Sequence, residues 1–153
     1  MSRNRKVNSI SIFDKDPIGG FTNVLMKDGK KAVAEDIARK SFAKAGEELN
    51  MEPQKVAKDV LSKIKPLAEV KSRRVGGSTY PVPVDVRPKR AYMLASRWII
   101  GAARSKKGMS MIEKLSIELI NIMTDGKSGA IDKKTAVHNM VKANQAFAHL
   151  GSK

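Results

Sequence analysis

One stretch of the chain alternates with a period of two, and it lies between segments whose apolar residues recur at helical spacing. Val82 and Val84 alternate with Pro81 and Pro83, which is the pattern of a β-strand with one buried face. Proline has no backbone N–H to donate to a neighbouring strand, so the N-sides of Pro81 and Pro83 must face outward. This restricts the run to the edge of a sheet, a condition that a ribbon of two strands satisfies.

A second alternating run, at residues 70–75, precedes the first, and Gly76-Gly77-Ser78 separates the two. Glycine readily adopts the positive φ that a tight hairpin turn requires. The pattern therefore predicts a two-stranded antiparallel β-ribbon at about residues 68–88. Two strands alone are marginally stable in water, so the ribbon must pack against helices or against a ligand.

The rest of the chain predicts a mainly α bundle of about six helices, with the protruding ribbon between the third and the fourth. In the third helix, for example, Val56, Val60 and Ile64 recur every four residues, which places them on one face. A length of 153 residues favours a single domain, 1–153. Within it, we expect residues 1–15 to form a flexible basic arm.

Several single residues have expected places in this bundle. Val33 is expected in the core, Gly29 is expected to end the first helix, and Asp132 is expected to cap the last one. Trp98 lies in the apolar stripe of the fourth helix, which favours a place in the core over stacking on a base. Tyr80 lies beside the glycine turn among basic residues, where stacking on a base and packing within the protein are equally open.

Positive charge is concentrated in the predicted ribbon and the helix that follows it. The chain has 30 Lys and Arg against 15 Asp and Glu, a formal net charge of +15. Residues 71–107 contain ten basic residues and one acidic residue, and a smaller basic group lies at Arg3, Arg5 and Lys6. Each phosphate that such a surface neutralises releases condensed counterions. The charge pattern therefore favours a nucleic acid over an anionic membrane or an acidic protein.

Motifs for catalysis, cofactors and metals are absent from the sequence. It has no Cys and no glycine-rich nucleotide-binding loop, and His138 and His149 have no third ligand at metal-binding spacing. We therefore expect no enzyme activity, no cofactor, no metal and no small-molecule substrate. No apolar run approaches the roughly 20 residues of a membrane span, and no signal-type segment follows the N-terminus. A cytoplasmic protein that does not engage a membrane is expected.

Four stretches of the chain resemble a known family. The segment VKSRRVGGSTY at Val70–Tyr80, with VPV and VRP after it, closely resembles the ribbon of the bacterial-type small-subunit ribosomal protein S-seven family. Three more stretches are similar to its other signature segments, in the same order and spacing: Leu25–Lys31, Arg97–Ile100 with Ala102–Arg104, and Ala143-Asn144 with Ala146–His149. The resemblance covers most of the chain, from about residue 16 to residue 149.

The resemblance implies a structural protein that binds small-subunit ribosomal RNA directly and nucleates assembly of the head domain. It also implies a place near the exit-site transfer RNA and the messenger RNA exit path, beside neighbouring small-subunit proteins. The residues that it leads us to expect at ribosomal RNA are Arg3, Arg5, Lys6, Lys27, Lys30, Lys31, Lys71, Arg73, Arg74, Arg87, Arg90, Arg97, Arg104, Lys106 and Lys107. Those expected near transfer and messenger RNA are Arg74, Gly76, Gly77, Ser78 and Tyr80. Recognition would rely on RNA shape, through phosphates and 2′-hydroxyls.

Two alternatives stay open from the residues alone. A DNA-binding architectural protein also uses a basic ribbon, which it lays in the minor groove. Such proteins insert an apolar wedge at the tip of the arm, whereas this tip is Gly76-Gly77-Ser78. The apolar Pro81 and Pro83 lie close to the tip, so the DNA-binding alternative stays open. The sequence is equally compatible with a bacterial ribosome and with an organellar one.

Overall fold

The computed structural model describes residues 11–151. This part of the chain is mostly helical, and one two-stranded antiparallel ribbon lies within it. The elements in chain order are α1 (Ile12–Lys15), α2 (Pro17–Leu25), α3 (Lys31–Leu49), α4 (Pro53–Ile64), β1 (Ala68–Val75), β2 (Ser78–Asp85), α5 (Pro88–Arg104), α6 (Met111–Met123), α7 (Gly129–Ala143) and a C-terminal 3-10 helix (Gln145–Gly151). The predicted fold class is confirmed, because α2 to α7 are the six predicted helices and the ribbon follows the third of them.

Helix α1 lies within the segment that was expected to form a flexible arm. Ser11 caps it: the Ser11 Oγ accepts the N–H of Phe13, and the Ser11 N–H donates to the Asp14 carboxylate. The side chain of Phe13 is buried and stacks on Tyr92, with 5.5 Å between ring centres. Residues 11–15 therefore belong to the folded body, while the rest of the predicted arm lies outside the described residues.

The core lies where the helices α2 to α6 meet. The rings of Phe21 on α2 and Phe42 on α3 are fully buried and meet edge to face, 5.2 Å apart. The buried stripe of α3 starts at Ala34 and continues through Ala38 to Phe42 at intervals of four. Val33 precedes this stripe by one position and is 55% exposed, so its predicted place in the core is wrong.

Two predicted helix ends differ from the structure. Helix α2 ends at Leu25, and Gly29 instead forms a turn with Asp28 in which both residues have positive φ. Helix α7 begins after Ser128, whose Oγ accepts the N–H of Ile131, so Asp132 lies in the first turn and is not the cap. Gly29 and Asp132 are residue types common at helix ends, but α2 ends four residues before Gly29 and α7 begins three residues before Asp132.

The ribbon has the register that its prolines require. Gly76 and Gly77, with φ of 60° and 84°, form a two-residue turn that pairs Val75 with Ser78. Counted from that turn, the hydrogen-bonded pairs fall at alternate positions, and Pro81 and Pro83 lie in the non-hydrogen-bonded pairs between them. Their N-sides therefore point away from β1, as the sequence predicts.

The C-terminal 3-10 helix and α7 support the ribbon. The ring of Tyr80 on β2 lies 5.4 Å from the ring of Phe147 in the 3-10 helix. Arg73 on β1 donates from Nη1 to the Leu150 carbonyl at 3.2 Å, and Val82 on β2 is fully buried. Tyr80 therefore packs against the C-terminal 3-10 helix, and its ring is only half-buried. Stacking of that ring on a base stays a prediction.

Candidate nucleic-acid interface

The structure separates a neutral part of the body from a basic part. Residues 11–59, which include α1 to α3, contain equal numbers of acidic and basic residues. The surplus charge of the described chain therefore belongs mainly to the ribbon, to α5 and to the loop after α5. How much of it can meet a ligand depends on which of these cations already have partners inside the protein.

Helix α5 carries a basic face and contains no acidic residue. Arg90, Arg97 and Arg104 are seven residues apart, close to two helical turns, so they share one face at intervals of about 10.5 Å along the axis. All three are exposed. Within residues 11–151, Arg97 and Arg104 make no ion pair or hydrogen bond with another side chain or with the backbone. These two guanidinium groups are free to bind an anion.

Arg90, at the start of the same face, is paired with Glu69 of β1. Its Nε donates to Oε1 at 2.8 Å and its Nη2 donates to Oε2 at 3.1 Å, while Lys71 Nζ lies 3.7 Å from Oε1. The hydrogen bond from Arg90 holds the pKa of the Glu69 carboxyl below its ordinary value. The bidentate contact of Arg90 ties the base of the ribbon to α5, so Arg90 has a structural role within the chain, whereas the pair of Lys71 lies within β1 and leaves its ammonium group largely exposed.

Replacing Glu69 by glutamine should lower stability at neutral pH and make the protein less sensitive to acid. The pKa of Glu69 is held below its ordinary 4.5, so its ion pair stabilises the fold above that value and is lost as the pH falls further. In urea unfolding, the free energy of unfolding of wild type should exceed that of Glu69→Gln at pH 7, and the difference should be smaller at pH 3. A gap of constant size would contradict this, and Glu48→Gln, at an exposed position of α3, is the control.

The two arginines of the ribbon lie on opposite faces. Arg73 and its cross-strand partner Tyr80 face the C-terminal 3-10 helix. Because successive side chains of a strand alternate, Arg74 points to the other face, where it is exposed and has no partner among the described residues. The open face and the Gly76-Gly77 tip are therefore accessible to a ligand, whereas Arg73 and Tyr80 are engaged.

Lys106, a predicted RNA contact, lies beside a buried acid. Glu118 on α6 is 0% exposed, and Lys106 Nζ lies 3.4 Å from its Oε2. Its Oε1 accepts the O–H of Ser128 at 2.5 Å and the N–H of Ala130 at 3.3 Å. Glu118 thus joins the loop after α5 to the start of α7. An acidic residue three positions after Leu115, in the apolar stripe of α6, is the signal that could have revealed this site.

Three more lysines bridge helices inside the protein. Lys63 Nζ donates to Asp125 Oδ1 at 2.7 Å, and Lys134 Nζ donates to the Lys63 carbonyl at 2.6 Å. Lys65 lies over the ring of Tyr92, 5.1 Å from its centre. Burial, and to a smaller extent the charge of Lys65, lowers the pKa of Lys134. The number of basic residues therefore overstates how many cations a partner can contact directly.

The remaining predicted residues lie in loops and at helix ends. Lys31, at the start of α3, is 3.9 Å from Glu35, a weak exposed pair. Arg3, Arg5 and Lys6 lie outside the described residues. The loop and helix-end cations that are exposed and have no partner within residues 11–151 are Lys27, Lys30, Arg87 and Lys107.

Other kinds of site have little support in residues 11–151. No three His, Cys, Asp or Glu side chains in that range are grouped as a metal ion would require. A groove of about 760 Å³ between α2, α3 and the start of α4 shares only Lys31 with the predicted contact residues. In the same part of the chain, no helix is long and apolar enough to cross a membrane.

Comparison with known proteins gives consistent matches along the chain. The sequence model of the family described as ribosomal protein S7p/S5e matches residues 1–145. Small ribosomal subunit protein uS7 of Brachyspira hyodysenteriae is 46% identical over 97% of this chain and 98% of that relative. The protein of the same name from Nitratidesulfovibrio vulgaris is 50% identical over 84% of this chain and 82% of its own length. That from Polynucleobacter necessarius is 43% identical over 97% and 98%.

Proposed function

The chain belongs to the ribosomal protein S7p/S5e family and is a structural protein of the small ribosomal subunit, not an enzyme; from this premise we propose that it binds small-subunit ribosomal RNA directly. The observation that carries the proposal is the exposed face of α5, where Arg97 and Arg104 have no partner among the described residues. Arginine presents a planar group that binds phosphate oxygens in pairs, and it keeps its charge at any physiological pH.

The open side of the ribbon extends this surface. Arg74 and the Gly76-Gly77-Ser78 tip are exposed, and no side chain of the glycines blocks the approach of a ligand backbone. The exposed cations Lys27, Lys30, Arg87 and Lys107 add phosphate contacts around the body. Arg73, Arg90 and Lys106 have partners that hold the ribbon and the α5 loop in place, and their charges still add to the positive potential. Lys71 is mostly exposed and can contact the RNA directly. RNA recognition of this kind reads shape through the sugar–phosphate backbone.

We place the protein in the head of the small subunit, on the cytoplasmic ribosome, where it would nucleate folding of the head RNA beside neighbouring ribosomal proteins. The resemblance supports this place and a position of the ribbon tip near the exit-site transfer RNA and the departing messenger RNA. On this proposal Arg74, Gly76, Gly77 and Ser78 approach those RNAs, and Tyr80 supports the tip from behind through its contact with Phe147. Arg3, Arg5 and Lys6 would add a further basic segment.

A competition experiment tests the proposal against a DNA-binding architectural function. With the labelled head domain of small-subunit ribosomal RNA bound to the protein at 0.15 M salt, the unlabelled RNA should displace it at least about tenfold better than duplex DNA of equal length. An unrelated structured RNA of the same length is the control for recognition of the particular fold. Equal displacement by DNA would contradict the RNA-binding proposal. The tip of the ribbon already disfavours DNA, because two glycines provide no apolar wedge.

A further inference from the structure

Gly101 lies on the exposed face of α5, where nothing within the described chain requires a glycine. A β-carbon added there would meet no atom within 4 Å. Each other glycine whose surroundings are described either has a positive φ or would place a β-carbon within 4 Å of other atoms. Glycine within a helix is destabilising relative to alanine, because it has more backbone freedom to lose on folding. The position therefore lowers helix stability without an internal contact in return.

The neighbours of Gly101 on the helix surface are the two unpaired arginines. Arg97 precedes it by four residues and Arg104 follows it by three, so both lie one turn away on the same face. Trp98, three residues before Gly101, packs against the core but stays half-buried, so its predicted burial is only partial. At Gly101 no side chain covers the helix backbone, and the exposed Arg97 and Arg104 flank this position, one turn away on either side.

We propose that Gly101 lets a single RNA phosphodiester strand cross α5 in direct contact with the helix backbone, between Arg97 and Arg104. This rests on the proposed function, since it takes ribosomal RNA as the ligand. Charge complementarity agrees with a polyanion such as RNA, because α5 has no acid along its length and Arg97 and Arg104 have no partner among the described residues. A strand that lies against the helix brings its phosphates within reach of both arginines, and the exposed part of the half-buried Trp98 borders the place where a ribose would lie.

Substitutions of Gly101 in the full chain test the proposal through two readouts that should move in opposite directions. Gly101→Ala should raise the urea midpoint, because alanine favours the helix. It should also weaken binding to a transcript of the head domain of small-subunit ribosomal RNA by about 3- to 10-fold, the value of one lost polar contact. Gly101→Gln should weaken binding further. Ala43→Gln, at an exposed position of the neutral α3, is the control for added bulk and should leave binding unchanged.

Unchanged affinity of Gly101→Ala and Gly101→Gln would overturn the proposal, because the strand would then not approach the helix at that point. A lowered urea midpoint for Gly101→Ala would also overturn it, since glycine would then be needed by the fold. The double variant Arg97→Ala with Arg104→Ala separates the two levels of inference. If it loses affinity while the Gly101 variants do not, only the role of Gly101 fails; if it too binds normally, this face is not the RNA-binding surface.

Discussion

Replacing Arg97 and Arg104 together by alanine should weaken binding to the head domain of small-subunit ribosomal RNA by about 10- to 30-fold at 0.15 M salt. The slope of log affinity against log salt should fall by about 1.4 to 1.8, because each phosphate contact contributes about 0.7 to 0.9. Neither arginine has an internal partner within residues 11–151, so the fold should lose little stability. Filter binding or fluorescence anisotropy across a salt series measures both quantities.

Lys55→Ala with Lys58→Ala is the matched control for the loss of two charges. Both lysines are exposed on α4, lie within the neutral segment 11–59 and have no partner among the described residues. Removing them lowers the net charge of the protein by the same amount. For this double variant, we expect the slope of log affinity against log salt to stay close to that of wild type. Equal losses in the two double variants would mean that total charge drives binding and that α5 has no special place in it.

Replacing Glu118 by alanine should destabilise the fold by about 3 kcal/mol, the lower end of the range for breaking a buried charged pair. The lower end applies because Lys106 is 25% exposed and can regain water once its partner is gone. The variant also leaves the Ser128 hydroxyl and the Ala130 N–H without their acceptor at the start of α7. Urea unfolding followed by far-UV circular dichroism measures the change in the free energy of unfolding.

Two further variants test the cause of that loss. Glu118→Gln keeps an oxygen acceptor for Ser128 but removes the charge beside Lys106, so its effect should lie between wild type and Glu118→Ala. Glu113→Ala removes an exposed acid from the first turn of the same helix and should have an effect below about 1 kcal/mol. If Glu118→Ala were as mild as Glu113→Ala, the buried carboxylate would not hold α6, α7 and the α5 loop together.

The elements that depend on local patterns are predictable from the sequence, and those that depend on distant contacts are not. Apolar spacing identifies α2 to α7, and the alternation around two glycines identifies the ribbon, because each signal lies within one element. Helix α1 has only four residues and gives no periodic signal. Ser128 and Asp132 are both good helix caps, and the choice of Ser128 is coupled to the buried Glu118, ten residues away.

In the candidate nucleic-acid interface, too, the local features are predictable from the sequence and the distant contacts are not. Counting charges along the chain finds the basic ribbon and α5, since clustering is visible in the sequence. It does not reveal that Arg90 is paired with Glu69, 21 residues earlier, or that Arg73 binds the Leu150 carbonyl, 77 residues later. Adjacent arginines at 73 and 74 thus look equivalent in the sequence, yet one supports the ribbon and the other faces outward.

The outward prolines of the ribbon also affect how the protein behaves before it finds a partner. In a two-stranded ribbon each strand has one edge without a neighbouring strand, and the unpaired N–H and C=O groups of such an edge can pair with a strand of a second molecule. On β2, the outward positions 81 and 83 are both proline and have no N–H to donate. The ladder that an added strand needs is therefore interrupted along that edge. Pro81 and Pro83 therefore disfavour the addition of a strand from a second molecule along the β2 edge of the ribbon.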